Sequence, residues 1–138
     1  MSVGLMVGYN WWTVGERSFF NSFFSTIYVQ LENNDWGSKY PVIMNKLYFG
    51  DIPLEDIESG IAELLSIQEE LKKFPPHDII WDFEDLSATP PWGNQIASHI
   101  TNLSQYFITS SGSDLFEVML TCFRFALEEG QNVVVKSI

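Results

Sequence analysis

The chain has 138 residues, 46% of them hydrophobic, and its 18 acidic and 7 basic side chains give a net charge of −11. This composition excludes an intrinsically disordered chain, and the length fits a single domain over residues 1–138. The shortage of Lys and Arg argues against nucleic acid or an anionic membrane surface as a partner, because both are bound by clustered cations.

The beginning of the chain predicts a strand and then a helix rich in phenylalanine. Residues 3–9 are mostly apolar and typical of a strand, and Gly15 is expected to end the extended region. Trp11 and Trp12 are adjacent, and neighbours in an extended chain face opposite sides. Over residues 18–31 apolar side chains recur at steps of three and four. This spacing predicts a helix that packs its phenylalanines into the core.

Two further helices follow, together with most of the negative charge. Turn-forming residues predict a loop over 33–38, a proline suits the start of a short helix over 41–48, and the clearest helix spans 53–73. Eleven of the 18 carboxylates lie within residues 51–85, where only two lysines oppose them. A solvated helix face accounts for such a pattern, and so does a surface that steers a basic partner.

The second half of the chain predicts three strands and one helix. The strands are expected over 78–82, 105–109 and 132–138, the helix over 114–128, and an irregular stretch over 83–93. Several helices precede the second predicted strand, so regular alternation of strands and helices is ruled out. We therefore predict an α+β fold, with a single small mixed or antiparallel sheet of about four strands and three to four packed helices.

The compartment is predicted from three features. Cys122 is the only cysteine, which excludes an intramolecular disulfide and suits a reducing environment. The first ten residues lack the basic region and apolar core of a secretion signal. No apolar run approaches the roughly 18 residues of a membrane span. We expect a cytoplasmic protein.

The densest combination of acidic and aromatic side chains lies in residues 79–93. Three carboxylates follow an apolar run, and a tryptophan follows the rigid pair Pro90-Pro91. Tryptophan dominates binding hot spots, and flanking carboxylates contribute steering and specificity. We therefore expect a partner-binding surface made of Asp82, Glu84, Asp85 and Trp92, with Asp35 and Trp36 as a second patch.

The same carboxylates support an alternative hypothesis. A small metal-dependent or carboxylate-based hydrolase could use Asp82, Glu84 and Asp85 as acid and base. His77 with Asp78 and Asp82 would make a weak site for a divalent ion. The sequence carries none of the common catalytic or phosphate-binding motifs and has only two histidines. We therefore expect no enzymatic activity, no cofactor and no metal.

Short motifs spread over nearly the whole chain share their order and spacing with one protein family. They are Val3-Gly4-Leu5 with Tyr9-Asn10, Ser22-Phe23-Phe24-Ser25-Thr26-Ile27, Trp36-Gly37-Ser38-Lys39, Phe74-Pro75-Pro76, Ile80-Trp81-Asp82 with Glu84-Asp85-Leu86, Pro90-Pro91-Trp92-Gly93, and Asp114-Leu115-Phe116-Glu117-Val118. In these motifs the chain resembles the immunity protein 70 family of bacterial polymorphic toxin systems. The resemblance implies a cytoplasmic antidote that binds and neutralises a toxin domain, often a nuclease, made by the same cell or its kin. It carries over no catalytic residue, and the acidic balance suits a basic nuclease as the target.

Overall fold

A four-stranded antiparallel sheet forms one layer of the fold. The computed structural model describes residues 2–93 and 95–137. The strands are β1 (Ser2–Val7), β2 (Asn10–Glu16), β3 (Asp51–Ile52) and β4 (Val133–Ser137), arranged in the order β2-β1-β4-β3. This small sheet, with helices packed against it, confirms the predicted α+β class. Ile138, the last residue of the expected final strand, lies outside the described residues.

The N-terminal segment is a hairpin rather than the single strand predicted over residues 3–9. Val7 pairs with Asn10, so Gly8 and Tyr9 form a two-residue turn. Gly8 takes a φ of 60°, which glycine adopts at no steric cost. Gly15 does not end the extended region as predicted, because it lies inside β2 opposite Val3, beside an irregularity in the pairing.

Three α-helices and one short π-helical segment complete the regular structure that positions the site. They are α1 (Arg17–Thr26), which continues in π-helical geometry over Ile27–Leu31, the π-helical segment Ile43–Leu47, α2 (Leu54–Leu71) and α3 (Leu115–Glu129). Each lies within a few residues of its predicted position. Of the helices in the described residues, none combines the length and the apolar character needed to cross a bilayer.

Two of the predicted strands are wrong. Residues 78–82 pair with no strand, and residues 105–109 contribute only an isolated bridge between Ile108 and Asp114. The second segment lies between the 3-10 turn Leu103–Gln105 and the start of α3. Its apolar side chains pack into the core, where Phe107 is fully buried.

The core is built mainly from rings of α1 and side chains of α2 and α3. Phe23 of α1 contacts Phe107 and Phe116, with ring centroids 5.4 and 5.6 Å apart. Helix α3 packs on β1 and β2, and α2 packs against α3. A Cβ at Gly60 would lie 3.3 Å from the Phe123 ring, so glycine allows the close approach of α2 to α3. The phenylalanines of α1 are core residues, as predicted.

Candidate functional site

The segment at residues 79–83 is fastened to α1 by side-chain hydroxyl groups. Ser22 Oγ and Thr26 Oγ1 both donate to the carbonyl oxygen of Ile80, at 2.9 and 3.2 Å. The N–H of Ile80 donates back to Thr26 Oγ1 at 3.2 Å, and the N–H of Phe83 donates to Ser25 Oγ at 3.0 Å. Main-chain groups that a strand would pair with another strand are therefore satisfied by a helix.

This arrangement explains why the strand expected over residues 78–82 does not form. The apolar run predicts a strand, but the surface on which it lies is a face of helix α1 and not the edge of a sheet. Ser22, Ser25 and Thr26 are fully buried on that face, and Gln30 extends the polar row by donating to the carbonyl of Asp78 at 2.9 Å. Buried hydroxyl groups need partners, and the passing main chain supplies them.

The acidic residues lie in two consecutive turns directly after the fastened segment. Asp82 Oδ1 accepts the N–H of Glu84 at 3.0 Å. Asp85 Oδ1 accepts the N–H and the hydroxyl of Ser87, at 3.1 and 2.6 Å. Asp82 is half-buried, whereas Glu84 and Asp85 are exposed. The turns hold the three carboxylates together at the surface.

Asp82 and Glu84 line a groove with a volume of about 530 Å³ between this segment, α1 and the end of the sheet. Phe20, Phe24 and Tyr48 also line it. Burial raises the pKa of the Tyr48 phenol, and the charges of Glu84 and Asp82 raise it further. The aromatic wall and the two carboxylates therefore share one electrostatic environment.

The second predicted patch lies next to the first, because the Trp36 ring contacts Phe83, which stands between Asp82 and Glu84 in the chain. The Trp36 ring lies 5.1 Å from the Phe83 ring and 4.7 Å from that of Tyr48. Trp36 is half-buried, and its indole Nε1–H donates to the carbonyl of Met44 at 2.9 Å. The neighbouring Asp35 is exposed. Asp35 rather than Trp36 is therefore the accessible member of this pair.

Two carboxylates, one buried and one half-buried, hold the loop that carries Trp36 and the helical segment that follows it. Glu32 is 2% exposed and accepts three main-chain N–H groups, from Gly37, Lys39 and Tyr40, at 3.0 to 3.1 Å. Glu63 accepts the N–H groups at the start of the next helical segment, from Val42 and Ile43, at 3.1 and 2.9 Å. Burial raises the pKa of Glu63 despite these bonds. Glu32 therefore holds the loop, and Glu63 holds the start of the helical segment after it.

Trp92 contacts the fastened segment through Trp81 and lines a different groove. Its ring lies 5.4 Å from that of Trp81, its Nε1–H donates to the Tyr106 hydroxyl at 2.8 Å, and it remains 42% exposed. Trp92 lines a second, smaller groove of about 180 Å³ with Phe19 and Ile108. Asn94, two residues further on, lies outside the described residues.

The structure therefore connects the two predicted tryptophans to one segment through ring contacts. Trp81 contacts Trp92, and Phe83 contacts Trp36. We call the surface formed by Asp35, Trp36, Asp82, Glu84, Asp85 and Trp92 the acidic-aromatic surface.

Sequence reasoning missed two kinds of residue in this site. The sequence does not identify Phe83 and Tyr48 as site residues, although Phe83 connects the two patches and Tyr48 forms part of the groove wall. The hydroxyl groups of α1 were also passed over. A polar row at steps of three and four within a helix rich in phenylalanine was the signal that could have identified them.

The remaining chemistry-bearing residues do not assemble a centre. His77 Nε2 lies 3.7 Å from Asp78 Oδ1 on the surface. Within residues 2–93 and 95–137, no group of three or more His, Cys, Asp or Glu side chains is placed to hold a metal ion. Cys122 is fully buried, and burial raises the pKa of its thiol to about 12.

Comparison with known proteins gives one finding. Neither curated proteins nor solved structures provide a significant match to the chain. The sequence model of one family, immunity protein 70, matches residues 5–135. That match spans both patches of the acidic-aromatic surface and all four strands in whole or in part. The chain therefore belongs to the immunity protein 70 family.

Proposed function

We propose that the chain acts as a single non-enzymatic domain in the cytoplasm, where it binds and neutralises a cognate bacterial toxin domain. The observation that carries this proposal is the family match over residues 5–135. The resemblance to the family implies that the toxin domain is often a nuclease, and a protein that holds phosphate groups presents clustered cations, as other basic partners also do. A net charge of −11 on this chain suits such a target.

The binding face in this proposal is the acidic-aromatic surface. Its exposed carboxylates supply steering, and Trp92 supplies a large, partly exposed ring for close packing. The hydrolase alternative finds less support, since Asp82 and Asp85 each use a carboxylate oxygen in a turn hydrogen bond. We assign these carboxylates to recognition and not to catalysis.

The test begins with the toxin domain encoded beside this chain. The purified chain should form a one-to-one complex with that domain, suppress its activity in a nuclease assay, and protect cells that express it. Absence of both complex and protection would overturn the proposed function.

The face is tested by reversing its charge. The triple variant Asp82→Lys, Glu84→Lys and Asp85→Lys should slow association by an order of magnitude or more and lower its dependence on salt. A matched control replaces three exposed glutamates with lysine, Glu58 on α2 and Glu128 and Glu129 on α3. It changes the net charge by the same amount. Equal protection and equal association rates for the two triple variants would show that the assigned face is wrong.

A further inference from the structure

The groove beside the acidic turns has apolar walls that are held rigidly in place. The Phe20 and Phe24 rings lie 4.8 Å apart, and the Phe24 and Tyr48 rings lie 5.1 Å apart at an angle of 82°. Phe20 and Phe24 are almost fully buried. The aromatic wall is therefore part of the core, and it is formed before any partner arrives.

The lining of this groove carries more negative than positive charge. Neither Asp82 nor Glu84 forms an ion pair within the part of the chain that the structure describes. Arg17 is the only cation among the lining residues that the structure describes, and its guanidinium donates to the neutral Ser137 hydroxyl at the end of β4, so two carboxylates face one cation in this lining. The carboxylates are thus available to a cation from outside.

These two features call for one kind of occupant. Lys and Arg side chains combine an apolar stem with a terminal cation, so the stem can lie on aromatic rings while the charge reaches a carboxylate. A purely apolar side chain would bury the carboxylates without partners, and an anionic group would be repelled. The volume of about 530 Å³ has room for a long side chain and part of its backbone.

We propose that this groove receives a Lys or Arg side chain from a surface loop of the toxin domain. The cation lies between Asp82 and Glu84, and its stem packs along the half-buried Tyr48 ring, which is supported from below by Phe20 and Phe24. This inference rests on the proposed function and specifies the chemistry of its binding face. Trp92 lies outside the groove and contacts a neighbouring part of the same partner.

The test removes the two charges with little change in shape. Asp82→Asn keeps an oxygen for the turn hydrogen bond with the N–H of Glu84, and Glu84→Gln changes an exposed side chain. We expect the double variant to bind the toxin domain at least about 30-fold more weakly, chiefly through faster dissociation. The matched control, Glu58→Gln with Glu128→Gln, changes net charge equally and should shift affinity by no more than about twofold.

The occupant is identified by replacing each Lys and Arg of the toxin domain with alanine. One replacement should weaken binding as much as the double variant does, and combining the two should add little further loss. The thermal midpoint of each variant shows that the fold is kept, and Glu84→Gln alone gives a second measurement at an exposed position.

Three outcomes overturn the inference while the proposed function stands. They are affinity of the double variant equal to that of the matched control, no toxin cation coupled to the groove, and an apolar toxin residue coupled to it instead. Failure of the wild-type chain to bind or protect would instead overturn the proposed function itself.

Discussion

The carbonyl group of Ile80 accepts two hydrogen bonds, and we predict that losing both donors destabilises the fold by more than the sum of losing each one. Ser22 and Thr26 both donate to it, and both are fully buried. The perturbation is Ser22→Ala and Thr26→Val, made singly and together. Each single variant leaves the carbonyl one donor, whereas the double variant leaves it none.

The magnitudes follow from which groups lose their partners. Ser22→Ala should lower the free energy of unfolding by about 0.5 kcal/mol, because Thr26 remains as a donor. Thr26→Val should cost about 1–1.5 kcal/mol, because the N–H of Ile80 also loses its acceptor. The double variant should cost about 1 kcal/mol more than the sum, since the carbonyl of Ile80 then has no donor from α1. Helix-propensity changes cancel in this coupling, because each occurs in both a single and the double variant.

Urea unfolding monitored by circular dichroism measures the four free energies, and hydrogen exchange measures the protection of the Ile80 and Phe83 amides. The control Thr121→Val changes an exposed threonine on α3 and should alter neither quantity by more than about 0.5 kcal/mol. Additive losses within about 0.3 kcal/mol, with unchanged Ile80 protection, would refute the reasoning that this carbonyl holds the segment on α1.

Two further predictions concern buried ionisable groups. Burial raises the pKa of Glu63 above its ordinary value of 4.5, so its contribution to stability is complete below 4.5 and is lost as the pH rises through the raised pKa. As the pH rises from 4.5 through this raised pKa, the free energy of unfolding of Glu63→Gln should therefore increase relative to that of wild type, and parallel curves from urea titrations would contradict this sign. Burial raises the pKa of Cys122 to about 12, so a thiol reagent at about pH 8 should label one group per chain only after unfolding in guanidinium. Rapid labelling of the native protein would show that this thiol is accessible.

The elements predicted well are those with both a periodic apolar stripe and terminal signals. Helix α3 begins where Asp114 accepts the N–H of Phe116 at 3.3 Å, and it ends at Gly130, whose φ is 66°. The prediction of residues 114–128 therefore differs by one residue at each end. The short motifs also predict the family, and the match over residues 5–135 confirms it.

The elements predicted poorly include those whose hydrogen-bond partners lie far away in the sequence. The run Ile79-Ile80-Trp81 has the composition of a strand, but its hydrogen-bond partners lie more than 50 residues earlier on a helix. Gly8 was placed inside a strand, although Gly followed by one residue also matches a two-residue hairpin turn. The periodicity of a segment shows which of its side chains are buried, but it does not show which other element the segment packs against.

The residues of the candidate site also divide into those that the sequence predicts well and those that it predicts poorly. Asp82, Glu84 and Asp85 lie together as their closeness in sequence requires. Trp36 is predicted to belong to a second binding patch, and the structure half-buries it against Tyr48 and bonds its indole to the carbonyl of Met44. The adjacent position of the two patches depends on Phe83, and no sequence pattern distinguishes that ring from a core phenylalanine.

The fastening of the segment to α1 also bears on how recognition can change over generations. Its hydrogen bonds involve main-chain atoms of Ile80 and Phe83, and every other residue type except proline offers the same atoms. Glu84 does not take part in this fastening through its side chain, and Asp82 and Asp85 act only within their own turns. Under the proposed function, substitutions at these three positions would alter which partner is bound at little cost to folding, so that target specificity and the integrity of the scaffold would vary almost independently.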